Sequence, residues 1–258
     1  NHFNGGFMDV VTELFDTGVY TITLNRPDKK NAMDSALLQG LNDALKRADT
    51  KSPQIIVIRG SGRAFCSGGD LIEFNESPDP GKQIDGMAEC LHQSIMLIRN
   101  IGAIVIAVVE GVAVGAGLGL SLACDLTLAS KNTIMNLGYR RIGLTPDGGG
   151  SISLPRLIGA KRFNELYLFS ANVNMSEALM LGLVNFVCDE NEIEVKLAEI
   201  VKNLLSLPME TISRFKNLVN NSMFSGLEGH LDMERQYVKE LGAQPLFKER
   251  IASFFKRK

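Results

Sequence analysis

The spacing of apolar residues predicts that strands and helices alternate over the first half of the chain. The predicted strands span residues 19–24, 54–59, 103–109 and 126–129, and the helices among them span residues 34–48, 84–99 and a short stretch that ends near residue 123. The run at 103–109 is apolar throughout, which is typical of a strand buried on both faces. This alternation favours an α/β fold with much parallel sheet.

The pattern changes after residue 151, where only residues 184–187 still indicate a strand. Helical periodicity is found at residues 160–169, 176–181, 191–205, 208–221, 227–241 and 246–255. The last of these helices are too apolar to stand alone, so we expect them to pack on the core or on another subunit. We therefore divide the chain into a core, 8–200, and a C-terminal helical oligomerisation region, 201–258.

Residues 75–83 interrupt the helical pattern with two prolines, a glycine and several polar side chains. Such a composition is typical of a surface loop. The segment is therefore a candidate lid over a binding site.

Composition excludes several classes of protein. The chain has 258 residues, of which 45% are hydrophobic and 22% charged, so it can bury a large core. Its apolar runs at 101–109 and 112–123 are shorter than the roughly 20 residues of a membrane span. The net charge of −2, with both signs interspersed, offers no surface for nucleic acid.

The cysteines and the first residues bear on the compartment. None of the four cysteines forms a C-x-x-C pair, which suits free thiols in the cytoplasm. Residues 1–7 have neither the basic nor the apolar part of a secretory signal, and Met8 follows them as a native start would. We expect residues 1–7 to be a remnant of cloning.

Two glycine-rich segments can present backbone N–H groups to a ligand. In residues 63–70 the pair Gly68 and Gly69 lets the backbone approach a ligand closely, although a plain tight turn would look the same. Residues 110–119 join a strand to a helix, whose first N–H groups lie at the positive end of the helix dipole. Helix–sheet packing remains an alternative for these glycines. A dinucleotide site is disfavoured because no suitable acidic residue follows about 20 positions on.

A third segment, residues 141–151, places Asp147 between a proline and three glycines. Its surroundings are apolar and a helix follows. Asp147 is therefore either a helix cap or an acid–base group.

In their order and spacing, three sequences resemble the enoyl-CoA hydratase/isomerase (crotonase) superfamily: Ala-Phe-Cys-Ser-Gly-Gly-Asp at 64–70, Gly-Val-Ala-Val-Gly-Ala-Gly at 111–117 and Ile-Gly-Leu-Thr-Pro-Asp-Gly-Gly-Gly at 142–150. The resemblance covers the chain from about residue 8 to the C-terminus. It implies a crotonase-like spiral of ββα repeats and a C-terminal helical region that builds a homotrimer or a dimer of trimers. It also implies an acyl-CoA substrate, no separate cofactor because CoA is part of that substrate, and no metal.

The resemblance also implies roles for single residues. The thioester oxygen would lie between the N–H groups of Gly69 and Ala116, where donors stabilise the charge of an enolate. The two catalytic glutamates of the family's hydratases correspond to Gly119 and Tyr139 here, and neither is a carboxylate. Asp147 stands where the family's double-bond isomerases and epoxyphenylacetyl-CoA isomerases have an acidic residue. One carboxylate suffices for an allylic shift, because the proton count is conserved.

The resemblance further implies a CoA site and an acyl pocket. The CoA-binding residues would be Arg26, Lys30, Ala64, Phe65, Ser67, Gly68 and Asp70, and the acyl pocket would include Phe74, Met87, Leu91 and Tyr139. Lys30 has an alternative interpretation as a plain surface charge. Asp70 has one as a helix cap that fixes the Gly69 N–H.

An isomerase that moves a proton through a thioester enolate is the expected function. One alternative is a hydratase or another acyl-CoA lyase that uses Asp147 with Tyr139 or a positioned water. Another is a dehalogenase with Asp147 as the nucleophile. The chain lacks the tryptophan of such enzymes, and we interpret His92 as a residue of a helix face. A CoA-binding protein without catalysis is the last alternative.

Overall fold

The computed structural model describes residues 9–256 and contains, within that range, a six-stranded sheet and a two-stranded sheet. The strands are β1 (Val11–Asp16), β2 (Val19–Leu24), β3 (Ile55–Gly60), β4 (Ile104–Val109), β5 (Val112–Val114), β6 (Leu126–Ser130), β7 (Ile134–Asn136) and β8 (Phe186–Cys188). The large sheet has the order β1-β2-β3-β4-β6-β8, and all its pairs are parallel except β1 with β2. Strands β5 and β7 form the parallel pair of the small sheet.

Helices surround the large sheet and fill the C-terminal region. They are α1 (Ser35–Lys51), α2 (Leu71–Glu76), α3 (Pro80–Asn100), α4 (Ala116–Ala123), α5 (Gly150–Phe169), α6 (Met175–Met180), α7 (Ile193–Leu205), α8 (Met209–Met223), α9 (Leu227–Gly242) and α10 (Pro245–Phe255). Short 3-10 helices span Pro27–Lys29, Tyr139–Ile142 and Glu190–Glu192. The predicted α/β fold with a parallel sheet and a helical C-terminal region is confirmed.

The burial of the strands follows from their position in the sheet. Strand β4 is buried along its whole length because β3 and β6 flank it and helices cover both faces. On one face the side chains of the sheet pack with α1 and α3, whose apolar residues include Leu41 and Ile95. On the other face β3 and β4 pack with Ile200 of α7 and Ile212 of α8. The carboxyl ends of the central strands lead into the glycine-rich loops.

The structure corrects the prediction of a long loop at residues 75–83. Only residues 77–79 lie between α2 and α3. Pro80 occupies the first turn of α3, where its fixed φ suits a helix start, and Asp79 caps that helix by accepting a hydrogen bond from Lys82 N at 3.0 Å. The proline and polar residues thus begin a helix, and they leave no segment long enough for the predicted lid.

Three strands escaped the sequence pattern. Residues 12–16 of β1 are exposed, so they show no alternation, and β5 and β7 have only three residues each. In the described range, no helix combines the length and the apolar character that a membrane span needs. The expectation for residues 1–7 lies outside the described residues.

Candidate active site

The loop after β3 carries Gly68 and Gly69 to the residues that precede α1. Met33 N donates to Gly68 O at 2.8 Å, and Asp70 N donates to Met33 O at 2.8 Å. The Asp70 carboxylate accepts a hydrogen bond from Ile72 N at 3.0 Å and caps α2, which is the capping alternative that the sequence left open. These bonds fix the backbone on both sides of Gly69.

A sharp turn at Gly115 joins β5 to α4. Gly115 has φ +55° and ψ −121°, a conformation that strains any residue with a Cβ. The turn makes Ala116 the first residue of α4. The first N–H groups of a helix have no partner inside it and carry the positive end of its dipole.

These two loops lie against each other. A Cβ placed on Gly68 would be 2.9 Å from Val114 O and 3.9 Å from Ala116 N, so glycine is needed for the approach. Neither Gly69 N–H nor Ala116 N–H is among the backbone donors that the fold pairs within residues 9–256. Two unpaired donors from separate loops therefore lie at one place, as an oxyanion hole requires.

Asp147 lies in the loop before α5 and is buried. Its Oδ1 accepts a hydrogen bond from Gly148 N at 2.6 Å, and its backbone oxygen accepts one from the Tyr139 hydroxyl at 3.1 Å. The N-cap of α5 is Gly149, so the side chain of Asp147 does not cap this helix. A Cβ on Gly148 would be 3.8 Å from Ala116 Cα, which shows that the aspartate loop lies beside the start of α4.

His92 contacts Asp147 directly. Its Nε2 lies 2.5 Å from Asp147 Oδ1, and the residue is 94% buried, so it does not lie on an exposed helix face. Burial lowers the pKa of His92, but the charge of Asp147 and the hydrogen bond to it outweigh burial and raise that pKa. Nδ1 has no partner among the described residues. The sequence held a signal for this burial, since position 92 follows the apolar Ala88 by four residues and precedes Ile95 by three.

Glu234 of α9 was not foreseen from the sequence. Its Oε2 accepts from Gly149 N at 2.8 Å, and its Oε1 accepts from Ser151 N at 3.0 Å and from Ser151 Oγ at 2.5 Å. Burial, together with the charge of Asp147, raises the pKa of Glu234 to about 7. Polar atoms of Glu234, Asp147 and His92 lie within 4.8 Å of one another. The sequence signal for this burial was the position of the Glu234 carboxylate on the apolar helix stripe between Leu231 and Val238.

A cavity of about 570 Å³ opens in front of Asp147 and the two donor loops. The predicted site residues that line it are Lys30, Ser67, Gly68, Gly69, Asp70, Phe74, Met87, Leu91, Ala116, Tyr139 and Asp147. Further lining comes from Val238, Phe254 and Phe255 of the C-terminal helices. The structure thus brings both donor loops, the aspartate and the predicted acyl-pocket residues to one cavity.

Three predicted CoA-binding residues do not line this cavity. The side chain of Phe65 is fully buried in the core and Ala64 is nearly so. The Arg26 guanidinium forms ion pairs of 3.0 Å with both Asp34 and Asp70. Arg26 therefore braces the carboxylate that caps α2, and its role toward CoA stays a prediction.

The two positions at which the resemblance places the hydratase glutamates, 119 and 139, are occupied in different ways. A Cβ on Gly119 would lie 2.5 Å from the backbone oxygen of Gly148, so the aspartate loop fills the space that a side chain would need. Tyr139 is buried, and its burial raises the pKa of the phenol well above 10. Neither position supplies a group that exchanges protons near neutral pH.

Comparison with known proteins shows the family to which the chain belongs. The model of the family described as enoyl-CoA hydratase/isomerase matches residues 15–258. The chain belongs to this family. It is 27% identical to the 1,2-epoxyphenylacetyl-CoA isomerase of Escherichia coli over 97% of each protein. It is 33% identical to 4-chlorobenzoyl coenzyme A dehalogenase-2 of an Arthrobacter species, over 92% of this chain and 87% of the relative.

Solved structures of the family have the same fold. The crystal structure of an enoyl-CoA hydratase from Mycobacterium avium subsp. paratuberculosis matches with a TM-score of 0.87 at 30% identity, over 94% of this chain and 98% of the other. The names of these three relatives span isomerase, dehalogenase and hydratase. Family membership therefore identifies an enzyme family that acts on acyl-CoA thioesters and leaves the reaction open.

Proposed function

We propose that this protein is an enoyl-CoA isomerase-type enzyme that moves a proton along an acyl chain. The thioester oxygen accepts hydrogen bonds from Gly69 N–H and Ala116 N–H, and Asp147 removes a proton from one carbon and returns it to another. The C–H bond at the first carbon breaks, the electron pair delocalises into the thioester enolate, and a new C–H bond forms at the second carbon. No water, oxidant or cofactor enters the balance.

The observation that carries this proposal is a buried carboxylate beside two unpaired donors. The Asp147 loop lies against the first turn of α4, and all three groups line one cavity. Asp147 Oδ1 already contacts His92 and the Gly148 N–H. Oδ2 is the oxygen left to meet an acyl chain, and a carboxylate needs only one oxygen to carry a proton.

Hydration is disfavoured because a second proton-transfer group is missing from the expected places. Water addition needs one group to activate water and another to protonate carbon. Gly148 O fills the space at position 119. The hydroxyl of Tyr139 donates to Asp147 O, and the high pKa of this phenol makes it a poor proton exchanger near neutral pH.

The His92 contact favours a second candidate, the dehalogenation of a haloaryl-CoA. A carboxylate oxygen of Asp147 would attack the ring carbon, chloride would leave, and water would hydrolyse the aryl ester while His92 took up its proton. His92 lies 2.5 Å from Asp147, where such a base would be needed. The chain contains no tryptophan, which weakens the similarity to this class.

One panel of substrates tests the two candidates together. The purified protein is incubated in D₂O with 3-enoyl-, 2-enoyl-, epoxyphenylacetyl- and chlorobenzoyl-CoA, and products are followed by mass and chloride release. Isomerisation predicts rearrangement without gain of water, and the product should keep the mass of the substrate because Asp147 returns the proton that it removed. Water addition would overturn the proposal in favour of a hydratase, and chloride release would favour the second candidate.

We also propose a cytoplasmic homotrimer or dimer of trimers. Large apolar side chains are exposed on α5, α6 and α8, and they include Phe169, Met180, Phe215 and Leu218. Exposed apolar surface of this kind is typical of a subunit interface. Light scattering on the purified protein measures the mass directly, and a monomer would contradict the assembly.

A further inference from the structure

The loop that carries Asp147 has few side chains of its own to hold it. Gly148 and Gly149 both have positive φ values, +67° and +75°, and Gly149 offers no side chain to cap α5. Glycine gains conformational freedom when it is released, so such a loop is easily displaced. Some other contact must keep the aspartate in front of the oxyanion donors.

Glu234 of α9 supplies that contact, although it lies 85 residues after Gly149 in the sequence. Its two oxygens receive the N–H groups of Gly149 and Ser151 and the Ser151 hydroxyl, and it thereby caps α5 from a different helix. His230, one turn earlier on α9, contacts the same hydroxyl through Nε2 at 2.7 Å. Glu234 is 97% buried, and an unpaired buried carboxylate would be strongly unfavourable.

We propose that Glu234 is a positioning residue for Asp147, and that the aspartate keeps its catalytic position only while Glu234 is ionised. The proposal rests on the proposed function for its catalytic content. Under this proposal the C-terminal helical region contributes to the active site as well as to the assembly of subunits. A protonated Glu234 has one oxygen that donates, so one of the three donors of the loop loses its acceptor.

Several groups around Glu234 determine when it titrates. Polar atoms of Asp147 and of His92 from α3 lie within 4.8 Å of it, and the Tyr139 hydroxyl donates a hydrogen bond to Asp147 O. Burial and the Asp147 charge raise the pKa of Glu234 to about 7, while the hydrogen bond from Ser151 lowers it. His230 lies 3.8 Å away on the same helix. The adjacent Arg235 is engaged in ion pairs with Asp85 and Glu89.

The test is the pH dependence of turnover on the substrate found by the acyl-CoA panel. For the wild type we expect kcat to fall as pH drops through about 7. Glu234→Gln should lack this limb and should lower kcat about tenfold at pH 8, with KM within twofold. Ser151→Ala should keep the limb and move its midpoint to higher pH, because the hydroxyl that lowers the Glu234 pKa is gone. Glu240→Gln, an exposed change on the same helix, should behave as the wild type.

A second measurement does not depend on activity. The backbone amide resonances of Gly149 and Ser151 should titrate with a midpoint near pH 7 in the wild type and near a higher pH in Ser151→Ala. If these amides titrate but no acyl-CoA is turned over, the proposed function falls and the holding of the loop stands. If the amides do not titrate, or if the acid limb persists in Glu234→Gln because it belongs to His92, the positioning role is overturned. If Glu234→Gln does not fold, Ser151→Ala tests the proposal in its place, and a midpoint that stays at the wild-type pH would overturn the positioning role.

Discussion

The two halves of the proposed site are built on different principles. The donor half consists of backbone N–H groups at Gly69 and Ala116, each held by loop geometry next to a strand end. The acid–base half consists of side chains from three separate elements: His92 contacts Asp147 Oδ1, and Glu234 accepts hydrogen bonds from Gly149 and Ser151 in the same loop. The donor half is therefore a product of local glycine conformations, whereas the acid–base half depends on long-range packing. Perturbations of the two halves should differ in size and kind.

The largest effect is expected from removing the carboxylate. Asp147→Asn keeps the shape of the side chain and abolishes its capacity to carry a proton, so turnover of the acyl-CoA substrate should fall about 10²–10⁴-fold. Steady-state kinetics measure this, with the exposed Asp232→Asn as control. Turnover within threefold of the wild type would remove Asp147 from the mechanism.

The donor half is tested by Ala116→Pro. Proline is tolerated in the first turn of a helix and lacks the N–H, so α4 should persist while one oxyanion donor is lost. We expect turnover to fall about 10²–10³-fold. Circular dichroism verifies the fold, and an unchanged rate would show that this N–H does not stabilise the reaction.

The contact between the halves is tested by Gly119→Ala. The new methyl would meet Gly148 O at 2.5 Å, so the aspartate loop must move. We expect a loss of about 1–3 kcal/mol in the free energy of unfolding, with lower turnover. Gly86→Ala is the matched control, because a Cβ there has no neighbour within 4 Å inside a helix. Equal denaturation midpoints for the two variants would contradict this packing.

The smallest effect concerns the histidine of the acid–base half. Since the pKa of His92 is raised in the folded protein, its stabilising contribution is complete below pH 6.5 and is lost as pH rises through the folded value. In His92→Gln the free energy of unfolding should no longer show this loss. The loss amounts to about 1.4 kcal/mol for each unit by which the fold raises the pKa of His92. Thermal unfolding from pH 6 to 9 measures it. The comparison is His230→Gln: the pKa of His230 is lowered by burial, so its effect develops below pH 6.5.

The sequence predicted most elements because their patterns are local. Strand 19–24 and the helices of the last third follow from periodicity, and the structure confirms them within a few residues. The prediction of a loop at 75–83 was wrong because Asp79 and Pro80 start a helix. Prolines and acidic residues occur both in turns and at helix starts, so their presence does not distinguish the two. Three-residue strands are too short for any periodicity to be recognised.

By itself the sequence determined the α/β core, the two glycine-rich loops and Asp147 as the acid between a proline and glycines. Those features are fixed by neighbours a few positions away, through alternation, φ preference and capping. Only the tertiary structure decided that His92 and Glu234 reach Asp147, over separations of 55 residues for the histidine contact and 85 for the glutamate's bond to Gly149. These contacts depend on how α3 and α9 pack against the Asp147 loop. The burial of the side chains and the short distances between their charges are set by the tertiary fold and not by the order of residues.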